Sequence, residues 1–164
     1  MLEPVIIRPY ARQDAPVLMD IFNRAVRSLA SRDYDAAQIE AWMGRTSDAA
    51  AFQARREAKP TFIAEIGGVI AGFSDLEPDG HIDMLFVEPA FARRGVGRAL
   101  LKHIEAEARA AALPRLYAEA SITAKPAFVS EGYTVITRQD VFIGDVALTN
   151  YRIEKVLRAA EDLS

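Results

Sequence analysis

The chain has 164 residues, 51% hydrophobic and 26% charged, with a formal net charge of −3; that suits one domain with one core and excludes a disordered or fibrous chain. The absence of cysteine removes disulfides, thiolate metal sites and cysteine nucleophiles, and two distant histidines, His81 and His103, build no metal site by themselves. A negative balance gives no general attraction to nucleic acid or anionic lipid, no apolar run reaches the length of about 18 residues that spans a membrane, and MLEPVIIRPY lacks the features of a signal peptide. The expectation is one cytosolic domain over 1–164, with neither nucleic acid nor membrane as partner and any bound anion caught locally.

In chain order, VIIRP (5–9) reads as a first strand. From Asp14, a candidate N-cap with Pro16 in the first turn, Val17, Leu18, Ile21, Phe22, Ala25, Val26 and Leu29 recur at helical spacing. DYDAAQIEAWM puts Ile39, Trp42 and Met43 on one helical face, and DAAAFQARREA reads as a further short helix. After Pro60 the texture changes to strands. TFIAEI and VIAGFSDL flank Gly67-Gly68, which supplies the positive φ of a tight hairpin turn. Asp79-Gly80 repeats the device before HIDMLFV, so three strands make an antiparallel meander. A helix from about Gly95 to Ala112 turns Leu100, Leu101, Ile104 and Ala108 inward and stops at Pro114. LYAEAS is a short strand, TAKPAFVSE a short helix ending at Gly132, and YTVITRQDVFI with VALTNYRIEKV a closing hairpin about Gly144-Asp145. The sum is an α/β fold: one mixed sheet of about seven strands with helices on both faces.

The stretch ARRGVGRALL (92–101) carries the chemistry. Between residues 92 and 102 stand Arg93, Arg94, Arg98 and Lys102 and no acid. Cations at a helix start oppose its dipole at about 0.3 to 1 kcal/mol each. An anion would make sense of them, and glycines let a phosphate approach the free backbone N–H groups. The plainer alternative is that Gly95 and Gly97 only let the chain turn into a helix. A dinucleotide fold fails because Leu100 stands where a third glycine is needed and the strand ends too early, at Val87; no Walker loop occurs.

Taken together, MLFVEPAFARRGVGRALL and ASITAKPAFVSEGY resemble the acyl-CoA motif and the following strand and helix of the GNAT superfamily of N-acetyltransferases. The likeness extends over nearly the whole chain. It implies acetyl-CoA as cosubstrate, no metal, and transfer of an acetyl group to an amine acceptor that the sequence does not identify. It also implies that Leu85, Phe86 and Val87 offer backbone groups to the pantetheine arm, that Arg93, Arg94, Gly95, Val96, Gly97 and Arg98 wrap the pyrophosphate, and that Ser121, Lys125 and Phe128 face the cofactor. The motif's usual Gln or Arg is Ala92 here. Dimers are common among relatives.

The implied reaction is direct attack by the amine on the thioester, with the oxyanion held by a strand N–H. An alkyl ammonium of pKa about 10.4 needs roughly 4.6 kcal/mol for deprotonation at pH 7, so the base matters more than the acid. Asp83 and Glu119 are the candidate bases, on strand faces shared by His81, Asp83, Leu85 and Val87 and by Tyr117, Glu119 and Ser121. Each could equally be a salt-bridged surface group. His81, beside a turn glycine, is expected to be exposed, and His103 to lie on the surface. Many relatives carry a tyrosine as general acid where this chain has Phe128, which leaves that role vacant or to Ser121, Tyr133 or water; a positioned acid is worth about a hundredfold to ten-thousandfold. Tyr34, Trp42 and Tyr151 are candidate acceptor-lining residues, although Trp42 at helical spacing also reads as core. The favoured acceptor is a primary amine of a small molecule. The rivals are a protein N-terminus or lysine, and a non-catalytic acyl-CoA sensor.

Overall fold

The computed structural model describes residues 3–157. β1 (Val5–Pro9), β2 (Thr61–Ile66), β3 (Val69–Asp75) and β4 (Leu85–Val87) form an antiparallel sheet in that order. β2 is buried at almost every position because both of its faces are covered. Its Phe62, Ala64 and Ile66 join one cluster with Leu100, Leu101 and Ile104 of α4 (Val96–Ala110), while Ile63 joins a second with Leu18, Ile21, Phe22 and Val26 of α1 (Ala15–Ser28). The first sheet is therefore sandwiched between α1 and α4. α2 (Ala36–Gly44) and α3 (Ala49–Glu57) complete the α1 side, their N-termini capped by the carboxylates of Asp35 and Asp48.

Asp14 does not cap in this way. Its carboxylate accepts two hydrogen bonds from Arg8 at 2.9 and 3.0 Å and the Ala11 N–H at 2.8 Å, leaving the free N–H groups of α1 without it. A charged guanidinium is the stronger partner for a carboxylate that is only 5% exposed.

The seven strands are split between two sheets. β5 (Arg115–Ser121), β7 (Val146–Val156) and β6 (Thr134–Ile143) form a separate antiparallel sheet, with α5 (Lys125–Ser130) between β5 and β6 in the chain. The sheets meet at a single parallel joint, where the Ile82 N–H reaches the Tyr117 carbonyl at 2.9 Å and the Tyr117 N–H reaches that of Gly80 at 3.0 Å. Gly80 makes the joint possible. It has φ +97°, and a Cβ there would stand 2.2 Å from the Arg115 carbonyl oxygen.

Beyond the joint β4 and β5 diverge. HIDMLFV forms a ladder only over Leu85–Val87, because the Asp75 carboxylate takes the N–H groups of Asp83 and Met84 at 2.8 and 3.2 Å, and the Ser74 hydroxyl donates to the Met84 carbonyl at 2.5 Å. The expected alternation of His81, Asp83, Leu85 and Val87 on one strand face is therefore interrupted. Asp75 is wholly buried and is held by the equally buried Arg56 at 2.7 Å.

Candidate active site

The divergence of β4 from β5 opens a cleft of roughly 770 Å³. Asp83, Leu85 and Phe86 line one wall, and Glu119, Ser121 and Phe128 the other. Phe22, Tyr34 and Trp42 close it from the helical side, and the β6–β7 hairpin contributes Phe142 and Asn150. Trp42 is thus a half-buried wall residue, its ring edge-on to Tyr34 at 5.4 Å. Tyr34 ties the far end together: its hydroxyl donates to the Thr149 carbonyl at 2.6 Å and accepts the Ile122 N–H at 2.9 Å. Tyr151 does not line the cleft and lies under Lys125, whose Nζ is 4.2 Å from the ring centroid.

The glycine-rich turn follows β4. Gly95 is the N-cap of α4 in a left-handed conformation, φ +79°, and Arg93 before it has φ +63°. The Val96, Gly97 and Arg98 N–H groups belong to the first helical turn, where intrahelical acceptors are lacking. A Cβ at Gly97 would come no closer than 3.8 Å to Ala127 and Val87, so packing does not require glycine there. The unopposed positive charge expected of this turn is smaller than its sequence suggests. Glu131, brought in by the turn after α5, pairs with both Arg98 and Lys102 at 2.9 Å. Arg93 and Arg94 are exposed and pair with no carboxylate among the described residues; the Arg94 guanidinium lies 5.4 Å over the Phe91 ring.

His81 overturns the expectation of an exposed side chain. Its side chain is only 16% accessible and is clamped between two carboxylates: Nδ1 against Glu77, and Nε2 2.7 Å from Glu119 in the cleft wall. Burial alone would lower the pKa of His81, but the hydrogen bonds to Glu77 and Glu119 outweigh it and hold the ring above its ordinary 6.5. Tyr117, 4.9 Å away between ring centroids, backs the imidazole. The spacing of Glu77 from His81 is visible in the chain, whereas Glu119 arrives only through the parallel joint. His103 is half-buried edge-on to Phe62 at 4.7 Å, away from the cleft.

The other candidates are placed differently. Asp83 lines the cleft but faces Lys59 at 3.5 Å and Arg56 at 3.8 Å. Ser121 accepts the Ala124 N–H at 3.0 Å, which leaves its own hydroxyl hydrogen available. Phe128 is 2% exposed and T-stacked on Tyr133 at 5.0 Å. Tyr133 lies behind it, outside the cleft, with a buried hydroxyl that has no partner among the described residues and that burial pushes far above the ordinary phenol range. Such a group is a poor proton donor. Among the described residues no three histidine or carboxylate side chains gather as metal ligands, and no helix is long and apolar enough to cross a membrane.

Residues 30–155 match the family described as Acetyltransferase (GNAT) domain. The chain belongs to the GNAT family of acetyltransferases. A relative from Escherichia coli, the uncharacterized N-acetyltransferase YafP, is 36% identical over 146 residues, covering 88% of this chain and 91% of the relative. A structure from Rhodopseudomonas palustris described as a GCN5-related N-acetyltransferase, aminotransferase class-II, superposes with a TM-score of 0.90 at 36% identity, covering 96% of this chain and 98% of the other. The same fold, at 23% identity and a TM-score of 0.73, occurs in yncA from Salmonella typhimurium, solved with its cofactor acetyl-CoA, with 95% of each chain covered. The splayed strands, left-handed N-cap and first-turn amides are thus parts of a GNAT N-acetyltransferase fold.

Proposed function

We propose that this GNAT enzyme transfers the acetyl group of acetyl-CoA to a primary amine of a small molecule, with Glu119 receiving the amine proton. The observation that carries the reading is the cleft between β4 and β5, with Glu119 held in its wall by His81. The residues present fit the donor: among the described residues, Leu85–Val87 leave one β4 edge unpaired beside the cleft, the first-turn amides of α4 lack partners, and Arg93 and Arg94 pair with no carboxylate. The Val96–Arg98 amides with Arg93 and Arg94 would hold the diphosphate, and the β4 edge the pantetheine arm. Acetyl-CoA, when bound, supplies a thioester carbonyl open to attack by an amine.

The work left to the chain is proton management. Glu119 is assigned this role because Asp83 is engaged by two cations, while Glu119 is hydrogen-bonded to a titratable neighbour. His81 links Glu119 to Glu77, which gives the amine proton a route out of the cleft. Ser121 is the hydroxyl with a free hydrogen on the cleft wall, and Phe128 and Tyr133 offer none there. Walls supplied by Trp42, Tyr34 and Phe142 on the acceptor side suit a compact amine.

The test is thiol release from acetyl-CoA with a panel of small amines and short peptides, run beside a thermal shift with acetyl-CoA. Turnover with small amines and not with peptides is expected. Faster turnover of peptides would make it a protein acetyltransferase, and a thermal shift with no thiol release from any acceptor would make it a sensor.

A further inference from the structure

Four charged side chains line the cleft: Asp83, Glu119, Arg45 and Arg55. The two acids are balanced within the protein, Asp83 by Lys59 and Arg56 and Glu119 by His81. The two arginines are not. Arg45 follows α2 and Arg55 stands in the last turn of α3; both are exposed, and neither side chain makes an ion pair or a hydrogen bond to any described residue. Helix C-termini favour cations, which accounts for the residue type but not for two guanidinium groups at one cleft. A second observation lies in the same cavity. Asn150, on β7 between Ser121 of β5 and Gln139 of β6, lines the cleft, and its Oδ1, just beneath the wall with almost no accessible surface, accepts no hydrogen bond from any described residue. A buried acceptor left unmatched costs about 1–3 kcal/mol, and a small rotation of the Asn150 side chain toward an occupied cleft would let a ligand N–H satisfy it.

From this arrangement we infer that the acceptor is a small primary amine that also carries a carboxylate: the amine end meets Asn150 and Glu119, and the carboxylate meets Arg45 and Arg55. The inference rests on the acetyltransferase reading above and narrows its acceptor to amino acids and their longer-chain analogues. The phosphate turn does not compete for these arginines, since none of Arg93–Arg98 lines the cleft. In the transfer the N–C bond forms as the C–S bond breaks, one amine proton leaves through Glu119 and the departing sulfur takes up one. The products are the N-acetylated carboxylate and coenzyme A.

The test uses two matched pairs, 6-aminohexanoate with 6-aminohexanamide and L-phenylalanine with L-phenylalaninamide. Each pair is assayed by thiol release with the wild type and with Arg45→Gln, Arg55→Gln and Arg109→Gln. The last is a charge-matched control on α4, paired with Glu105 and outside the cleft. A charge-assisted hydrogen bond is worth about one factor of ten or more. In at least one pair the wild type should favour the carboxylate over the amide by about tenfold in kcat/KM, and Arg45→Gln and Arg55→Gln should each cut that ratio by about tenfold through KM, while Arg109→Gln leaves it in place. A wild-type ratio at or below one in both pairs, or a ratio that neither cleft variant changes, overturns the inference. If no amine releases thiol, the acetyltransferase reading has failed on its own. Equilibrium dialysis of 6-aminohexanoate and L-phenylalanine against protein saturated with coenzyme A then decides: arginine-dependent retention supports the carboxylate site, and no retention refutes it.

Discussion

Gly97 and Glu119 separate binding from chemistry at the scale of single residues. Gly97 is the second residue of α4, and a Cβ there meets nothing closer than 3.8 Å. An aspartate at that position gains helix propensity and a favourable dipole interaction, yet sets a negative charge where phosphate must approach. Gly97→Asp is therefore expected to keep or raise the unfolding midpoint of the free protein while weakening acetyl-CoA by at least about tenfold. The loss shows as a smaller ligand-induced stabilisation, which for the wild type is about 2.7 kcal/mol at a hundred times Kd. Calorimetric titration of both proteins checks it. Glu119→Gln, at an exposed position, should leave folding intact and lower kcat/KM at pH 7 by about a hundredfold to ten-thousandfold. Below its raised pKa the His81 ring carries a proton on both nitrogens and donates to both carboxylates; as pH rises through that value one nitrogen is freed to take up a proton passed along the chain of Glu119, His81 and Glu77. The pH profile of kcat/KM should accordingly rise with an inflection above 6.5 that His81→Gln removes. Glu119 and Ser121 were legible as candidates because a carboxylate and a hydroxyl on a strand beside the motif are rare enough to notice. The burial of His81 was not, since its clamp spans 38 positions to Glu119.

Among the elements, β4 owes its form to a buried ion pair. Arg56 and Asp75 have fully inaccessible side chains 2.7 Å apart, and Asp75 also accepts two N–H groups from the segment that would otherwise extend β4. Asp75→Asn retains an oxygen for those amides and leaves the buried Arg56 guanidinium with only the longer 3.8 Å contact to Asp83. Removing one partner of a buried pair costs about 3–5 kcal/mol, and a urea titration should show a loss of that size. A loss under about 1 kcal/mol would mean that water already reaches Arg56. The sequence placed the helices and hairpins well: Leu18, Ile21, Phe22, Ala25 and Val26 are buried as their period requires, and the closing hairpin turns at Gly144-Asp145. It misjudged HIDMLFV because a strand pattern carries no sign that a distant carboxylate will capture two of its amides.

For the whole molecule, ion pairs set opposing limits on stability. Asp14 is held below its ordinary pKa of 3.8 by hydrogen bonds from Arg8. Burial works against ionisation at Glu77, Glu105 and Glu131, but hydrogen bonds from His81, Lys155 and Lys102 outweigh it and hold all three below their ordinary 4.5. Lowered carboxylates stabilise the fold above their unfolded values, and that contribution is lost as pH falls through the folded ones. His81 has the opposite sign: its raised pKa gives a contribution that is complete below 6.5 and lost as pH climbs through the folded value. The thermal midpoint should therefore fall off on both sides, in acid below about pH 4.5 and in mild alkali above 6.5. His81→Gln should flatten the alkaline limb and spare the acid one, as a melting series across pH would show.

The sequence by itself determined the helices, the hairpins, the glycine-rich helix start and the family they belong to, because periodicity, turn chemistry and motif spacing act over a few residues at a time. Only the tertiary structure decided that seven strands part into two sheets, that Glu131 neutralises Arg98 and Lys102, that His81 bridges Glu77 and Glu119, and that Arg45 and Arg55 share a cleft with Asn150. Each of these joins groups far apart in the chain. Which carboxylate meets which cation is set by the packing of α1 and α4 on the first sheet and by the one joint at Gly80, and no local pattern records that choice.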